Sequence, residues 1–127
     1  REGSDVTVVA NLMYVQKALQ AAEELAKEGI SVEVIDPRTL VPFDYDTVAS
    51  SVKKTGRLVV VHEAHQNAGW GAQVITETAK RVFPYLDAAP IHLGAKACPL
   101  PFNRGLEAAV IPQVEDIIAA VKTTMYR

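Results

Sequence analysis

The chain has 127 residues, 49% of them hydrophobic and 22% charged, with a formal net charge of −2. That length gives one ordinary domain a real core and leaves little room for a second, and the charge removes the electrostatic case for nucleic acid or an anionic membrane. No apolar run approaches the roughly 20 residues that span a bilayer, no signal-peptide pattern is present, and the single cysteine, Cys98, excludes an internal disulfide framework and fits a reducing compartment.

The elements follow in order. Val6 to Ala10 is a short β-branched run bounded by Asp5 and Asn11, which predicts a buried strand. Leu12, Val15, Leu19, Ala22 and Leu25 then recur at helical spacing, with Glu23, Glu24, Lys27 and Glu28 on the other side and Gly29 where a C-cap belongs. Ile30 to Ile35 reads as a second strand ended by Asp36-Pro37-Arg38, which makes a βαβ-like unit with a parallel pair as its default. An irregular connection, Thr39 to Asp44, leads to a helix through about Lys54, with Asp44 as its N-cap and Val48 and Val52 facing inward. Gly56 closes it, and the apolar run Leu58 to Val61 suits a strand covered on both faces. A polar turn and a Gly69-Trp70-Gly71 hinge precede a helix from about Ala72 to Val82, ended by Pro84. Pro90 to Leu93 is a fourth strand, Ala95 to Gly105 a loop, and Pro112 suits the first turn of a last helix with Val114, Ile117, Ile118 and Val121 as its buried stripe. The pattern predicts one three-layer α/β domain over residues 1–127 with a small, mostly parallel sheet. The opening Arg1-Glu2-Gly3-Ser4-Asp5 lacks a methionine, which leads us to expect a piece of a longer chain.

Side chains at the carboxyl end of a strand sit in the crevice where α/β proteins bind ligands and partners. His62-Glu63-Ala64-His65 falls there. Its two histidines are three apart, whereas helical metal motifs use a spacing of four and zinc wants a third ligand, so a hydrogen-bonded turn is the better reading. Histidine can do acid–base work near neutral pH, but no nucleophile or orienting carboxylate accompanies it. Gly69-Trp70-Gly71 resembles the start of a dinucleotide fingerprint, whose amides at a helix N-terminus cradle phosphate. Val74 occupies the place of the third glycine, so the match is partial. The alternative is that the glycines permit a tight turn and place Trp70 against a neighbour, since tryptophan and histidine exposed on a turn fit an interface. Cys98 lies between Ala97 and Pro99 with no cation nearer in sequence than Lys96, and reads as inert. Arg38 after Asp36-Pro37 has the chemistry to hold an anion, although a structural strand stop is simpler. We assign no catalytic, cofactor-binding or metal-ligating residue. The candidates for an interface are His62, Glu63, His65, Gly69, Trp70, Gly71, Arg38 and Phe43.

Several segments carry a resemblance. Val34 to Asp44, reading V-I-D-P-R-T-L-V-P-F-D, resembles the "V-D-L-R-T-L-x-P-x-D" segment of the transketolase C-terminal domain, in the version found in beta subunits of 2-oxo acid dehydrogenases. Val60-Val61-His62-Glu63-Ala64 with Gly69-Trp70-Gly71-Ala72 is similar to "V-x-H-E-A…G-F-G-A-E". Leu86 to Ile91 looks like "L-D-A-P-I" with one extra alanine. Pro99-Leu100-Pro101-Phe102, Leu106-Glu107 and Ile111 to Ile117 are similar to the closing segment. The resemblance spans nearly the whole chain and keeps the order.

It implies a five-stranded, mostly parallel mixed sheet in an α/β/α sandwich, with one antiparallel strand. It implies a parent enzyme that uses thiamine diphosphate and Mg to decarboxylate pyruvate or branched-chain 2-oxo acids, or to cleave acetoin, and passes the acyl group to lipoate on a second component. The cofactor and catalytic residues would belong to the preceding domain, so this chain alone would be inactive and would serve assembly and docking. Its partners would be an alpha subunit, a second beta subunit and the lipoyl-bearing acyltransferase, in the cytoplasm of a bacterium or archaeon or in a mitochondrial matrix. Three positions depart from the pattern: Ala97 stands where most relatives have an aspartate that in some members receives the basic binding domain of the second component, Gln73 replaces a glutamate, and Trp70 replaces a phenylalanine. Two other readings compete, because function does not follow from fold. One is a stand-alone regulatory domain that binds a small anion at Gly69–Gly71, and the other a degenerate nucleotide-binding enzyme.

Overall fold

The structure, a computed structural model, describes residues 1–126. The elements are β1 (Val6–Ala10), α1 (Met13–Lys27), β2 (Val32–Ile35), α2 (Tyr45–Thr55), β3 (Leu58–His65), α3 (Trp70–Val82), a 3-10 turn (Phe83–Tyr85), β4 (Ile91–Ala95), α4 (Arg104–Val110) and α5 (Val114–Thr124). The strands form one sheet in the order β2-β1-β3-β4, and every neighbouring pair is parallel. This order reverses direction between β1 and β3, which makes their carboxyl ends the place where a crevice opens.

Alternation along the strands sorts the core into two layers. Val6, Val8 and Ala10 of β1, Val59 and Val61 of β3, and Val32 and Val34 of β2 pack with Tyr14, Ala18, Ala22 and Leu25 of α1 and Ile117 and Val121 of α5. Val9, Leu58 and Val60 face the other way, against Val48, Ala49 and Val52 of α2 and Val74 and Val82 of α3. Fully burying one such valine or leucine contributes roughly 1.5–3 kcal/mol. The one hydroxyl in β1 that faces α2 is satisfied: Thr7 Oγ1 lies 2.7 Å from both Ser51 Oγ and Thr55 Oγ1.

The local signals act as their chemistry requires. Asp44 caps α2 by accepting from Thr47 N at 3.0 Å, and Gly56 ends it at φ 71 with its N–H on Val52 O. Gly29, at φ 78, ends α1 in the left-handed region where a Cβ would be strained.

The structure corrects several expectations. The sheet has four strands, not five, and no antiparallel strand appears among the described residues. Pro99 and Pro101 follow β4 and lack the N–H donors a ladder needs, and Asn103 then caps α4 by accepting from Gly105 N and Leu106 N. β2 starts at Val32, β3 continues through the whole His62–His65 segment, and α3 starts at Trp70, so what reads as a polar turn is strand and the hinge already belongs to the helix. Register shifts between Val61 and His65 give that strand end its bend. Pro112 precedes α5 instead of entering its first turn, which is closed by a capping box between Gln113 and Asp116.

Candidate functional site at the carboxyl end of the sheet

The same alternation that sends Val60 toward α3 sends His62 there, and Ile91 and Leu93 packing on the opposite layer leave His92 pointing the same way. The two rings meet: His92 Nε2 and His62 Nε2 are 2.6 Å apart, and the backbone N–H of Gly71 donates to His62 Nε2 at 3.2 Å. A backbone N–H has only a donor to offer. His62 Nε2 must therefore carry the lone pair, with its proton on Nδ1, and His92 must donate its Nε2–H. His62 is 1% exposed. Burial, reinforced by the neighbouring His92, lowers its pKa to about 4, and burial lowers His92 as well. The His62 ring is neutral at pH 7, as this hydrogen-bond pattern demands, and the lowered pKa of His92 favours the neutral form there too. Trp70 closes the cluster with its ring centroid 4.9 Å from that of His62.

This cluster explains the hinge glycines. A Cβ at Gly71 would lie 2.5 Å from His92 Nε2 and 2.8 Å from His62 Nε2, and one at Gly69 would lie 2.4 Å from the His65 carbonyl oxygen and 2.5 Å from His62 Cε1. The glycines are there so that the rings and the strand end can approach the backbone. A phosphate cradle would need free amides at this helix start. Here Gly71 N–H is spent on His62 and Ala72 N–H on Gly69 O, so the arrangement does not fit an anion site.

The remaining candidates divide. His65 is exposed and its Nε2 donates to the Cys98 carbonyl at 3.0 Å, which ties the loop after β4 to the end of β3. Among the described residues no three of His, Cys, Asp and Glu converge on one point. Glu63, exposed, faces the α1 layer and is one of three acids that, with burial as the larger cause, push the Tyr14 hydroxyl up to about 12. Arg38 is exposed and pairs with Asp36 at 3.1 Å. Phe43, half-buried, packs on Tyr45 with centroids 4.6 Å apart. Glu63, His65 and Trp70 share the walls of an open groove of about 570 Å³ with Leu12, Leu40 and Leu100. Arg38 lines an adjoining groove that shares Leu12 and Leu40.

The rim of these grooves is apolar. Leu12 is 76% exposed at φ 51, a backbone region that favours glycine, and Leu40 and Leu100, which line the same groove, stand exposed with it. A non-glycine residue strained into solvent at a crevice is a sign of a functional surface, and contiguous exposed apolar side chains mark contact sites. Sequence reasoning missed His92 and Leu12. The Ile91-x-Leu93 alternation was the available signal for His92; nothing in the sequence foretells the backbone of Leu12.

Comparison with known proteins agrees with this architecture. The family "Transketolase, C-terminal domain" matches residues 1–117. The chain is 46% identical over 127 residues to the pyruvate dehydrogenase E1 component subunit beta, mitochondrial, of Pisum sativum, covering all of this chain and 35% of that protein. It is 46% identical over 125 residues to the corresponding subunit beta of Staphylococcus epidermidis, covering 98% of this chain and 38% of that one. A solved structure described as a split gene transketolase, inactive beta4 tetramer, superposes with a TM-score of 0.83 at 31% identity, over 99% of this chain and 40% of its own. The chain thus spans little more than a third of the length of these relatives. With its three layers, its parallel sheet and a match running through α5's first turn, the chain belongs to the transketolase C-terminal domain family.

Proposed function

We propose that this chain is the assembly and docking domain of the beta subunit of a thiamine-diphosphate-dependent 2-oxo acid dehydrogenase. The observation that carries the reading is the end-to-end likeness to pyruvate dehydrogenase beta subunits. The grooves at the carboxyl end of the sheet, with their exposed apolar rim, support it. Two observations support placing the cofactor outside this chain: no three His, Cys, Asp or Glu side chains converge among the described residues, and at the glycine-flanked start of α3 the Gly71 amide donates to His62. Thiamine diphosphate and Mg belong, on this reading, to the rest of a longer subunit in which this is one domain. The chain then contributes surface, with Trp70, Glu63, His65, Arg38 and Phe43 as contact residues and His62, Gly69 and Gly71 supporting Trp70 from below. The partners are an alpha subunit, a second beta subunit and the lipoyl-bearing acyltransferase, with Ala97 altering how the last one docks. The compartment is the bacterial or archaeal cytoplasm or a mitochondrial matrix, and no helix among the described residues is long and apolar enough to cross a membrane.

The test is to mix the full-length subunit containing this chain with its alpha subunit. Thiamine-dependent decarboxylation of pyruvate, a branched-chain 2-oxo acid or acetoin is expected, and no activity with any of them refutes the assignment. The stand-alone anion-binding reading loses ground because Gly71 N–H is already bonded to His62.

A further inference from the structure

The His62–His92–Gly71 contact lies directly beneath the groove wall that Trp70 forms. We propose that it is a proton-operated lock on that wall: with His62 Nε2 unprotonated, the first turn of α3 is held against β3 and β4, and a proton on that atom releases the turn and takes Trp70 out of the groove.

The argument is one of donors and acceptors. His62 Nε2 is a single acceptor facing two donors, the Gly71 amide at 3.2 Å and the His92 Nε2–H at 2.6 Å. Protonating His92 at Nδ1 leaves both bonds in place, because His92 still donates through Nε2. Protonating His62 at Nε2 sets the Gly71 amide against an N–H in a buried space; His92 can keep its contact by moving its own proton to Nδ1 and accepting at Nε2, whereas a backbone amide cannot accept. Something must then separate. β3 is held by ladders on both sides and β4, at the edge of the sheet, by its ladder to β3, whereas the Gly69–Gly71 turn is held here by His62 and by one helical turn, Ala72 N to Gly69 O. The turn is the part that yields, and Trp70, between the two glycines, moves with it.

The Ala64 backbone favours the charged ring, but burial and His92 outweigh it. The titratable groups on the packed elements are Glu63 and His65 on β3, Glu77 two turns along α3, His92 on β4, and Lys96 and Cys98 just beyond β4. Of these only His92 acts on the charge of His62, and it disfavours a proton there. Glu63 faces the other layer, His65 is turned to the Cys98 carbonyl, and Glu77 is paired with Lys80 and Arg81. The proton therefore enters below the usual histidine range, between pH 6.5 and about 4. The consequence for docking rests on the proposed function; the lock itself does not.

The experiment follows the 127-residue chain by NMR hydrogen exchange and Trp70 emission from pH 7 to about 4. Trp70 is the only tryptophan, so its emission reports this turn alone. The Gly71 amide, corrected for its intrinsic rate, is expected to lose protection at higher pH than the amides of Val8 and Val59, and Trp70 emission to shift to the red with it. His62→Gln, whose side-chain carbonyl still accepts from Gly71, is expected to abolish the transition. His92→Gln, which keeps His62, is expected to retain it and move it to higher pH. Loss of Gly71 and core protection together, or an unchanged transition in His62→Gln, overturns the lock. Subunit association is then measured on both sides of the transition. Equal affinity overturns the link to docking, and no association at any pH refutes the proposed function while leaving the Gly71 result to decide the lock.

Discussion

The hinge glycines give the most discriminating perturbation, because local propensity and tertiary packing predict opposite signs. Gly71 lies in the first turn of α3 and its φ is not among the positive ones. Alanine there gains up to about 1 kcal/mol of helix propensity, a figure that already contains the stiffer unfolded chain. Against this, the new Cβ would lie 2.5 Å from His92 Nε2 and 2.8 Å from His62 Nε2, well inside the roughly 3.5 Å of an ordinary contact. Overpacking of this kind costs typically about 1–3 kcal/mol, and turning His92 aside also breaks the 2.6 Å bond to His62, worth about 1 kcal/mol. The net expectation is destabilisation by about 1–3 kcal/mol. Gly69→Ala should cost more, because its obstacle at 2.4 Å is the His65 carbonyl, a backbone atom that cannot rotate away. Urea unfolding followed by circular dichroism measures both. The decisive comparison adds His92→Ala, which should recover most of the loss in Gly71→Ala and little of it in Gly69→Ala. A stabilised Gly71→Ala, or a failure of His92→Ala to rescue it, would refute the idea that the rings dictate the glycine.

Further outcomes follow from the same geometry. His62 has a folded-state pKa below its unfolded one, so the unfolded chain takes up the proton first and stability falls as pH drops from 6.5 toward about 4; the loss attributable to His62 is about 3 kcal/mol, His92 adds to it in the same direction, and a wild-type minus His62→Gln difference that stays flat over that window in urea melts contradicts the assignment. Thr7→Val removes the 2.7 Å bonds to Ser51 and Thr55, but Ser51 keeps Glu33 and Thr55 keeps the Arg57 carbonyl, so a loss of about 0.5–1.5 kcal/mol is expected by the same melts, and a loss well above that contradicts the retained partners. Tyr14 is fully buried and its hydroxyl has no hydrogen-bond partner among the described residues, so Tyr14→Phe should leave the unfolding midpoint unchanged or raise it; a marked drop would reveal a partner for that oxygen. Trp70→Ala should weaken subunit association by about 2 kcal/mol or more while the chain remains folded, with sedimentation as the readout and unchanged dissociation as the contrary result.

The sequence by itself determined the order and kind of the main elements. Uninterrupted apolar runs such as Leu58 to Val61 require cover on both faces, and the helical spacing of Val48 and Val52 or of Ile117 and Val121 admits one orientation toward the sheet. Caps at Asp44 and Gly29 act through neighbours a few residues away, so their meaning is local and legible. Motif order likewise carried the family. Tertiary structure decided the rest. His62 reads as part of an exposed turn until β4 arrives beside β3 and brings His92 against it, a partner 30 residues away. That contact turns the glycines from a phosphate signature into clearance for two imidazoles, because a steric requirement depends on what lies opposite and not on the residues alongside. The apolar rim around Leu12 has the same origin, since exposure is a property of the surfaces that meet and a one-dimensional pattern records only one of the two; the residue pattern itself carried four strands, and the fifth came from the resemblance alone.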